Sequence, residues 1–554
     1  MSVPALDASR IKPSVFSDAE LDLPYALAHF ARFANSVLME GPDRGFISIS
    51  VWRTPKDNRP YNARIMENIL SLAWFYTAER KWNPYRGHPA LRARLEAALD
   101  FWCRIQNSDG RFSEYSQNGW NLAATAFAVK FMAEALHLLK SGPPLDPAVH
   151  DGAVGACRKA LRVVLYDADL YRHGRSYSNQ YTNIFAGGAA FLRLYPDAEL
   201  AARLRQRAEQ SNAEFQSPCG YFYEADGPDF GYNLGTHHEN IQMAYHYWRG
   251  TPLGDILVAQ EEHFCDWLAY NALPEPGQPF YVLNRSIESR QKHATIEAVD
   301  TPVADRCIIA RAFATAPEER AAEIKSAREK LERQWPQVDP LQVGTFWSYS
   351  PYRFLQRSHY EWHPTATQIA EARRRLRPLT ADSFIEQRKD TRVPSVFTYV
   401  RRPGYYAAFA SGVVPRPQQR FGLTFAWTPR AGVMLQSQTG ESETAWGTVG
   451  PSAAALEASE VRADFSQGGE VAAYPLAGGG EKRVIFAADR IRVTVERAGE
   501  IVERVPVFDV RYVASAAPAS VRPQPQSPVA GKSFSVVELR ATGKLDYEIR
   551  PPAV

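Results

Sequence analysis

Asp109-Gly110-Arg111-Phe112-Ser113-Glu114-Tyr115 is echoed 110 residues later by Cys219-Gly220-Tyr221-Phe222-Tyr223-Glu224, and each copy lies between two stretches of helical periodicity. An offset of that size holds two helical hairpins of roughly 55 residues each, the spacing of stacked hairpins. The surrounding segments agree. In 63–80 (ARIMENILSLAWFYTAER), 89–106 (PALRARLEAALDFWCRIQ), 121–140 (NLAATAFAVKFMAEALHLLK) and 185–210 (FAGGAAFLRLYPDAELAARLRQRAEQ), apolar residues recur every three or four positions. Each such helix has one face to bury. Asn-Pro-Tyr-Arg-Gly (83–87) and Ser-Gly-Pro-Pro (141–144) break the helices apart, and short connections make neighbours antiparallel. Hairpins continued from about residue 20 to 375 can close into an (α/α) toroid around a buried inner ring. An open helical solenoid is the other architecture this pattern allows.

After residue 390 the period changes to two. SVFTYV (395–400), YYAAFAS (405–411), RFGLTFAW (420–427), GVMLQSQ (432–438), KRVIFAA (482–487), IRVTVERA (491–498), VPVFDVRYV (505–513) and SFSVVELRA (533–541) alternate or are β-branched, with Gly, Pro and polar turns between them. The expected fold is therefore α+β and multidomain, with a toroid over 1–375, a charged linker over 376–394 and an antiparallel β-sandwich of at least eight strands over 395–554.

At 554 residues the chain is too long for one ordinary core. Its 64 basic and 61 acidic residues are interleaved, and no block of like charge suggests a nucleic-acid arm or a membrane-surface helix. A polyanionic ligand would have to be met by local Arg and Lys in a cleft. The 12 Trp, 26 Tyr and 28 Phe suit a glycan cleft and a large core equally. Five scattered cysteines without a CxxC pair argue for free thiols, and against a disulfide framework or a Cys-based zinc site. No cofactor is expected. The N-terminal stretch MSVPALDASRIKPSVFSDAE has no apolar run resembling a signal peptide, and no later stretch is expected to span a bilayer. The chain reads as cytoplasmic, or as one whose leader has been removed.

Three loops of the helical half are dense in amides, His and Tyr, where loops of a toroid gather function. The first, Ser176-Tyr177-Ser178-Asn179-Gln180-Tyr181-Thr182-Asn183, runs into a helix and holds more polar groups than one N-cap requires. The second, 224–240, carries Glu224, Asp226, Asp229, Tyr232, His237 and His238. Adjacent histidines on a helix point about 100° apart, so His237 and His238 do not readily share a metal ion, and there is no HExxH spacing. The third holds Tyr349, Tyr352, Arg353, Arg357 and His359, a set that suits either a sugar-cleft lip or interdomain packing.

The helical half followed by a β-sandwich resembles the heparinase II/III-like and alginate-lyase polysaccharide lyases. In that family an Asn-Asn-His segment opens a helix, and a catalytic Tyr follows some 50-odd residues later in a Gly- and acid-rich loop. Here Asn179-Gln180-Tyr181 opens a helix and Tyr232 lies 53 residues beyond Asn179. His359 matches a further family His. Tyr181 stands where the family usually has His, and the β domain lacks the family's His-rich strand, since 376–554 contains neither His nor Cys. The resemblance implies cleavage of an acidic polysaccharide or oligosaccharide by β-elimination at a uronate, with neither nucleic acid nor membrane as partner. Asn179 would neutralise the uronate carboxylate, with Gln180, Asn183, His238, Tyr349, Tyr352, Arg353 and Arg357 binding substrate. Tyr232 would take the C5 proton, supported by His237 and His359. Free tyrosine titrates near 10, so a tyrosine base working near pH 7 needs a cation beside it. His237, His238, Arg353 and Arg357 are the candidates. Two other readings stand beside this one: a glycoside hydrolase using Glu224 or Asp229 with a second carboxylate, and a non-catalytic glycan-binding protein.

Overall fold

The computed structural model describes residues 1–48, 57–290, 293–337, 350–439, 442–450, 455–457 and 460–552. By contact the chain forms two compact units that interleave in sequence. One comprises 1–211, 239–257 and 316–361; the other comprises 212–238, 258–315 and 362–554.

The first unit is helical. Its helices include Ala63–Met66, Ile69–Thr77, Pro89–Arg104, Leu122–Ser141, Pro147–Tyr166, Ser178–Leu194 and His238–Trp248. The expected helix 63–80 is two pieces, because Asn68 turns its amide onto the Ile65 carbonyl and interrupts the run. Leu122–Ser141 is the central element. Asn121 caps it, its side-chain oxygen accepting from Ala124 N at 2.8 Å. By length and composition this helix is apolar enough to cross a bilayer, contrary to the sequence expectation, and 83% of its apolar window is buried inside the fold. Two further helices run in its own direction. Gly187 packs against Lys130, where a Cβ would lie 2.7 Å from the Lys130 nitrogen. Seven residues on, His137 Nε2 meets the Ala190 carbonyl at 2.7 Å. The Lys130–Asn240 and Glu134–Tyr247 contacts set the same direction for His238–Trp248. Parallel inner helices returning through outer ones are what repeated hairpins produce.

The 110-residue repeat is present in three dimensions. Gln106 Nε2 donates to the Gly110 carbonyl and to the Ala156 carbonyl of the next outer helix, both at 2.9 Å. Gln216 Nε2 does the same to Gly220 at 2.8 Å and Gln260 at 2.9 Å. Gly110 and Gly220 have φ of +106° and +118° and back onto helix carbonyls. A side chain at either position would meet both left-handed strain and a collision.

The second unit is β-rich. Its sheet path places the strands Phe384–Asp390, Ser395–Arg402, Tyr405–Val413, Gly422–Thr428 and Gly432–Gln436 in succession, all antiparallel. Three corrections to the sequence reading arise here. The expected linker 376–394 holds a short helix, Arg377–Thr380, and the strand Phe384–Asp390. That strand reads as charged because it is an edge with one polar face. The stretches 491–498 and 505–513 are not separate strands. Ile491–Val507 is one strand, paired with Ser535–Ile549 across a register shift at Glu496/Glu500. It changes its other partner along its length, from 481–486 to 447–449 and then Leu435. A bulged strand that changes partners in this way is how one sheet turns over into a sandwich. A three-stranded sheet, Ala272–Pro274, Tyr281–Leu283 and Thr295–Ile296, lies inside the stretch expected to be helical.

Candidate functional site

Within the second unit, the repeat copy ending at Glu224 leads into a tightly held turn. Ala225 and Asp226 both adopt positive φ, 52° and 64°. Consecutive left-handed non-glycine residues are strained and need external support. Arg416 supplies some of it by donating to the Ala225 carbonyl at 3.0 Å, and Arg392 pairs with Asp226 at 3.1 Å. Upstream, Asp390 at the end of the first sheet strand accepts from Ser217, Tyr221 and Tyr223 hydroxyls at 2.7, 2.5 and 3.0 Å. Downstream, buried Asp229 caps the next turn by accepting from Tyr232 N at 2.8 Å. A π-helical turn, Asn233–His237, follows. Such turns widen a helix and recur at functional sites. Asn233 clamps this turn to Phe222, accepting from its N–H at 3.0 Å and donating to its carbonyl at 3.1 Å.

This framework presents Tyr232, which is half-buried. Arg290 lies against it: Nη2 is 3.3 Å from the phenolic oxygen, and the guanidinium carbon is 4.4 Å from the ring centroid. The same guanidinium donates from Nη1 to Glu224, whose carboxylate is fully buried. One arginine thus joins a buried carboxylate from the repeat loop to the tyrosine hydroxyl, with Glu224 holding its orientation. Sequence reasoning missed Arg290, which lies 58 residues beyond Tyr232 in no recognisable motif.

The carboxylates of the loop are occupied in holding it together. Glu224 serves Arg290, and Asp229 caps the Tyr232 turn; both are fully buried. Glu288 accepts from Phe230 N at 3.0 Å, and burial, reinforced by Asp229, raises it well above the ordinary carboxylate range. The folded state therefore holds this proton more tightly than the unfolded chain, where Glu titrates near 4.3. The stability it contributes is fully present below about pH 4.3 and is lost as pH rises through the folded-state pKa. Glu288→Gln keeps an acceptor for Phe230 and cannot ionise. Its melting temperature relative to wild type is expected to rise between pH 4 and pH 8; parallel curves would show that Glu288 titrates alike in both states.

His237 and His238 point apart, as the helical geometry requires. His237 is buried with its ring 3.5 Å from that of Phe222. Burial, and then His238, push it well below its ordinary value, so it carries no charge at neutral pH. His238 Nδ1 lies 3.0 Å from Glu261. Burial opposes its charge, yet Glu261 raises it above the ordinary imidazole value.

The other sequence-selected residues belong to the first unit. The helix Ser178–Leu194 begins one residue before Asn179, without a side-chain cap at Tyr177. Asn179 and Asn183 are buried, and Asn183 Nδ2 donates back to the Asn179 carbonyl at 2.7 Å. Gln180 is half-buried, 3.1 Å from His173 Nε2. Tyr181, at the family's His position, is wholly buried and donates to the Val164 carbonyl. His359 Nε2 is 3.1 Å from Glu134, and its ring stacks on His246 at 4.3 Å. Tyr352 meets Arg64 Nη2 at 3.4 Å. It lines a cavity of about 620 Å³ together with Trp74, Glu134, Arg353 and Arg357. Arg357 pairs with Asp22, and Arg353 lies 3.9 Å from the same carboxylate. Tyr349 lies outside the described residues. Among the described residues, no group of three His, Cys, Asp or Glu side chains is placed to hold a metal ion. The cysteines are free thiols.

An (α/α) helical toroid followed by an antiparallel β-sandwich is the fold class of this chain. No family model matches the sequence, and no curated protein does. Among solved structures, the chain is similar to a point mutant of the chondroitin AC lyase of Streptomyces coelicolor A3. The match has a TM-score of 0.53 at 12% identity and covers 100% of this chain and 81% of that one. The same lyase in complex with chondroitin sulphate matches with a TM-score of 0.50 at 11% identity, over 100% and 81% of the two chains. At these identities the likeness is one of fold.

Proposed function

We propose that this chain is a polysaccharide lyase that cleaves a uronic-acid-containing glycan by β-elimination. The observation that carries the reading is the Arg290 guanidinium against the Tyr232 hydroxyl, held there by buried Glu224. Arg290 sets a positive charge against the phenolic oxygen, where negative charge develops as the proton is transferred. Tyr232 then removes the C5 proton, and a protonated tyrosine returns it to the leaving C4 oxygen. Asn179 is assigned the neutralisation of the uronate carboxylate, which makes the C5 proton easier to remove. The fold likeness to the Streptomyces lyase is consistent with this chemistry. Hydrolysis is supported less well, because Glu224 and Asp229 are fully buried and bound to the loop.

The test is ultraviolet absorbance during incubation with polyuronates and glycosaminoglycans, chondroitin sulphate included. A rise marks the unsaturated uronate that elimination leaves. New reducing ends without that rise would show hydrolysis and overturn the proposal.

A further inference from the structure

The fully buried cation at the centre of the first unit, Lys130, does not stand alone. Its Nζ lies 2.8 Å from Glu239 Oε2 and 3.0 Å from Asn240 Oδ1. With its oxygen turned to an ammonium, the Asn240 amide has only one orientation, its NH2 facing away from Lys130. That NH2 donates to the Asn179 carbonyl at 3.2 Å and to Thr182 Oγ1 at 3.0 Å. Asn183 Nδ2 reaches the same Asn179 carbonyl at 2.7 Å. Two side-chain amides, one from a neighbouring helix, thus converge on one main-chain oxygen in the first turn of Ser178–Leu194.

The rest of the arrangement serves the same contact. Gly187 brings the 178–194 helix hard against the backbone of Lys130, so the ammonium emerges between that helix and His238–Trp248. A lysine with no exposed surface is costly to bury without partners, and here both partners lie in the first three residues of the neighbouring helix. Ordinary helix packing does not call for an ammonium–amide–carbonyl chain directed at one first-turn residue.

We infer that Asn240, oriented by Lys130, is a positioning residue for Asn179. It fixes the backbone from which the Asn179 amide is presented to the uronate carboxylate. The inference rests on the lyase reading and on the role proposed there for Asn179. Small displacements of a substrate-positioning group lower turnover strongly.

The experiment compares wild type, Asn179→Ala, Asn240→Asp, Asn240→Leu and the double variant Asn179→Ala/Asn240→Asp, using the polyuronate that wild type cleaves. Asn240→Asp keeps the size of the side chain and its contact to Lys130, and loses the donor to Asn179 and Thr182. Asn240→Leu loses the same donor without an added charge, and with it the acceptor for Lys130. The expected result is a fall in kcat of about 10- to 100-fold in the single Asn240 variants, with KM changed less than threefold and, in Asn240→Asp, a melting temperature close to wild type. In the Asn179→Ala background the Asn240 change is expected to alter kcat less than twofold. An equal fall in both backgrounds would overturn the inference, because Asn240 would then act independently of Asn179. So would kcat lost in Asn179→Ala but unchanged in the Asn240 variants. Absence of turnover by wild type would instead remove the lyase reading, and this inference with it.

Discussion

Tyr232→Phe is expected to lower kcat on the cleaved polyuronate by about 10²- to 10⁴-fold, the range for loss of a positioned acid–base group. The melting temperature should stay close to wild type. The residue is half-buried, its contact to Arg290 is a long 3.3 Å, and the ring remains to receive the guanidinium face. A companion variant separates the tyrosine from its cation. Arg290→Gln removes the charge beside the phenol, so kcat is expected to fall while some turnover survives. Arg290→Lys should not restore the wild-type rate, because one ammonium lacks the planar fork that reaches Glu224 and Tyr232 together. Full turnover in Tyr232→Phe would remove this residue from the mechanism.

The largest effect on stability is expected in the β-rich unit. Lys482 is fully buried, with Glu457 at 2.9 Å and Glu503 at 2.5 Å. Arg420 holds the other side of Glu457 at 2.8 Å, and Tyr547 donates to Glu503 at 2.8 Å. The Lys482 ammonium also lies 3.5 Å from the Trp446 ring centroid. Burial raises Glu503 above the ordinary range; the same burial acts on Glu457, but Lys482 and Arg420 hold it below. Lys482→Met fills the same space and leaves Glu503 without a cation in a dry core. Breaking a buried pair from one side costs about 3–5 kcal/mol, to be read as a lowered denaturant midpoint. The double change Lys482→Met/Glu503→Gln should recover much of that loss, since Glu457 keeps Arg420 and no uncompensated carboxylate remains. A single variant as stable as wild type would show that the network contributes nothing net.

Much of the architecture was legible because it depends on local pattern. Three- and four-residue periodicity marked the helices, alternation marked many of the longer strands, and the two Asp/Cys-Gly-x-Phe-x-Glu loops marked the repeat. Even the conserved geometry of that repeat rests on residues four apart, Gln106 with Gly110 and Gln216 with Gly220. The misreadings have local causes too. Phe384–Asp390 carries the charges of an edge strand, which in one dimension look like a linker. Ile491–Val507 contains a polar, glycine-bearing bulge, which looks like a turn between two strands.

The candidate site was legible only in outline. Tyr232 stood out as a tyrosine in a Gly- and acid-rich loop, and Asn179 as one of several amides at a helix start. The chain order of these residues, their types and the helical or extended state around them follow from short-range sterics and hydrophobic periodicity. Which cation meets the tyrosine does not. Arg290 is one of many arginines, and it is singled out by a fold that closes the chain between Glu224 and Ser289, so that a carboxylate, a guanidinium and a phenol distant in sequence meet within hydrogen-bond reach. The same holds for Lys130, Asn240 and Asn179, three residues on three helices. Periodicity says which face of a helix is buried, but pairing inside the buried layer depends on rotation and register between helices. Those are set by close contacts such as Gly187 against Lys130, and such contacts exist only once the helices have packed.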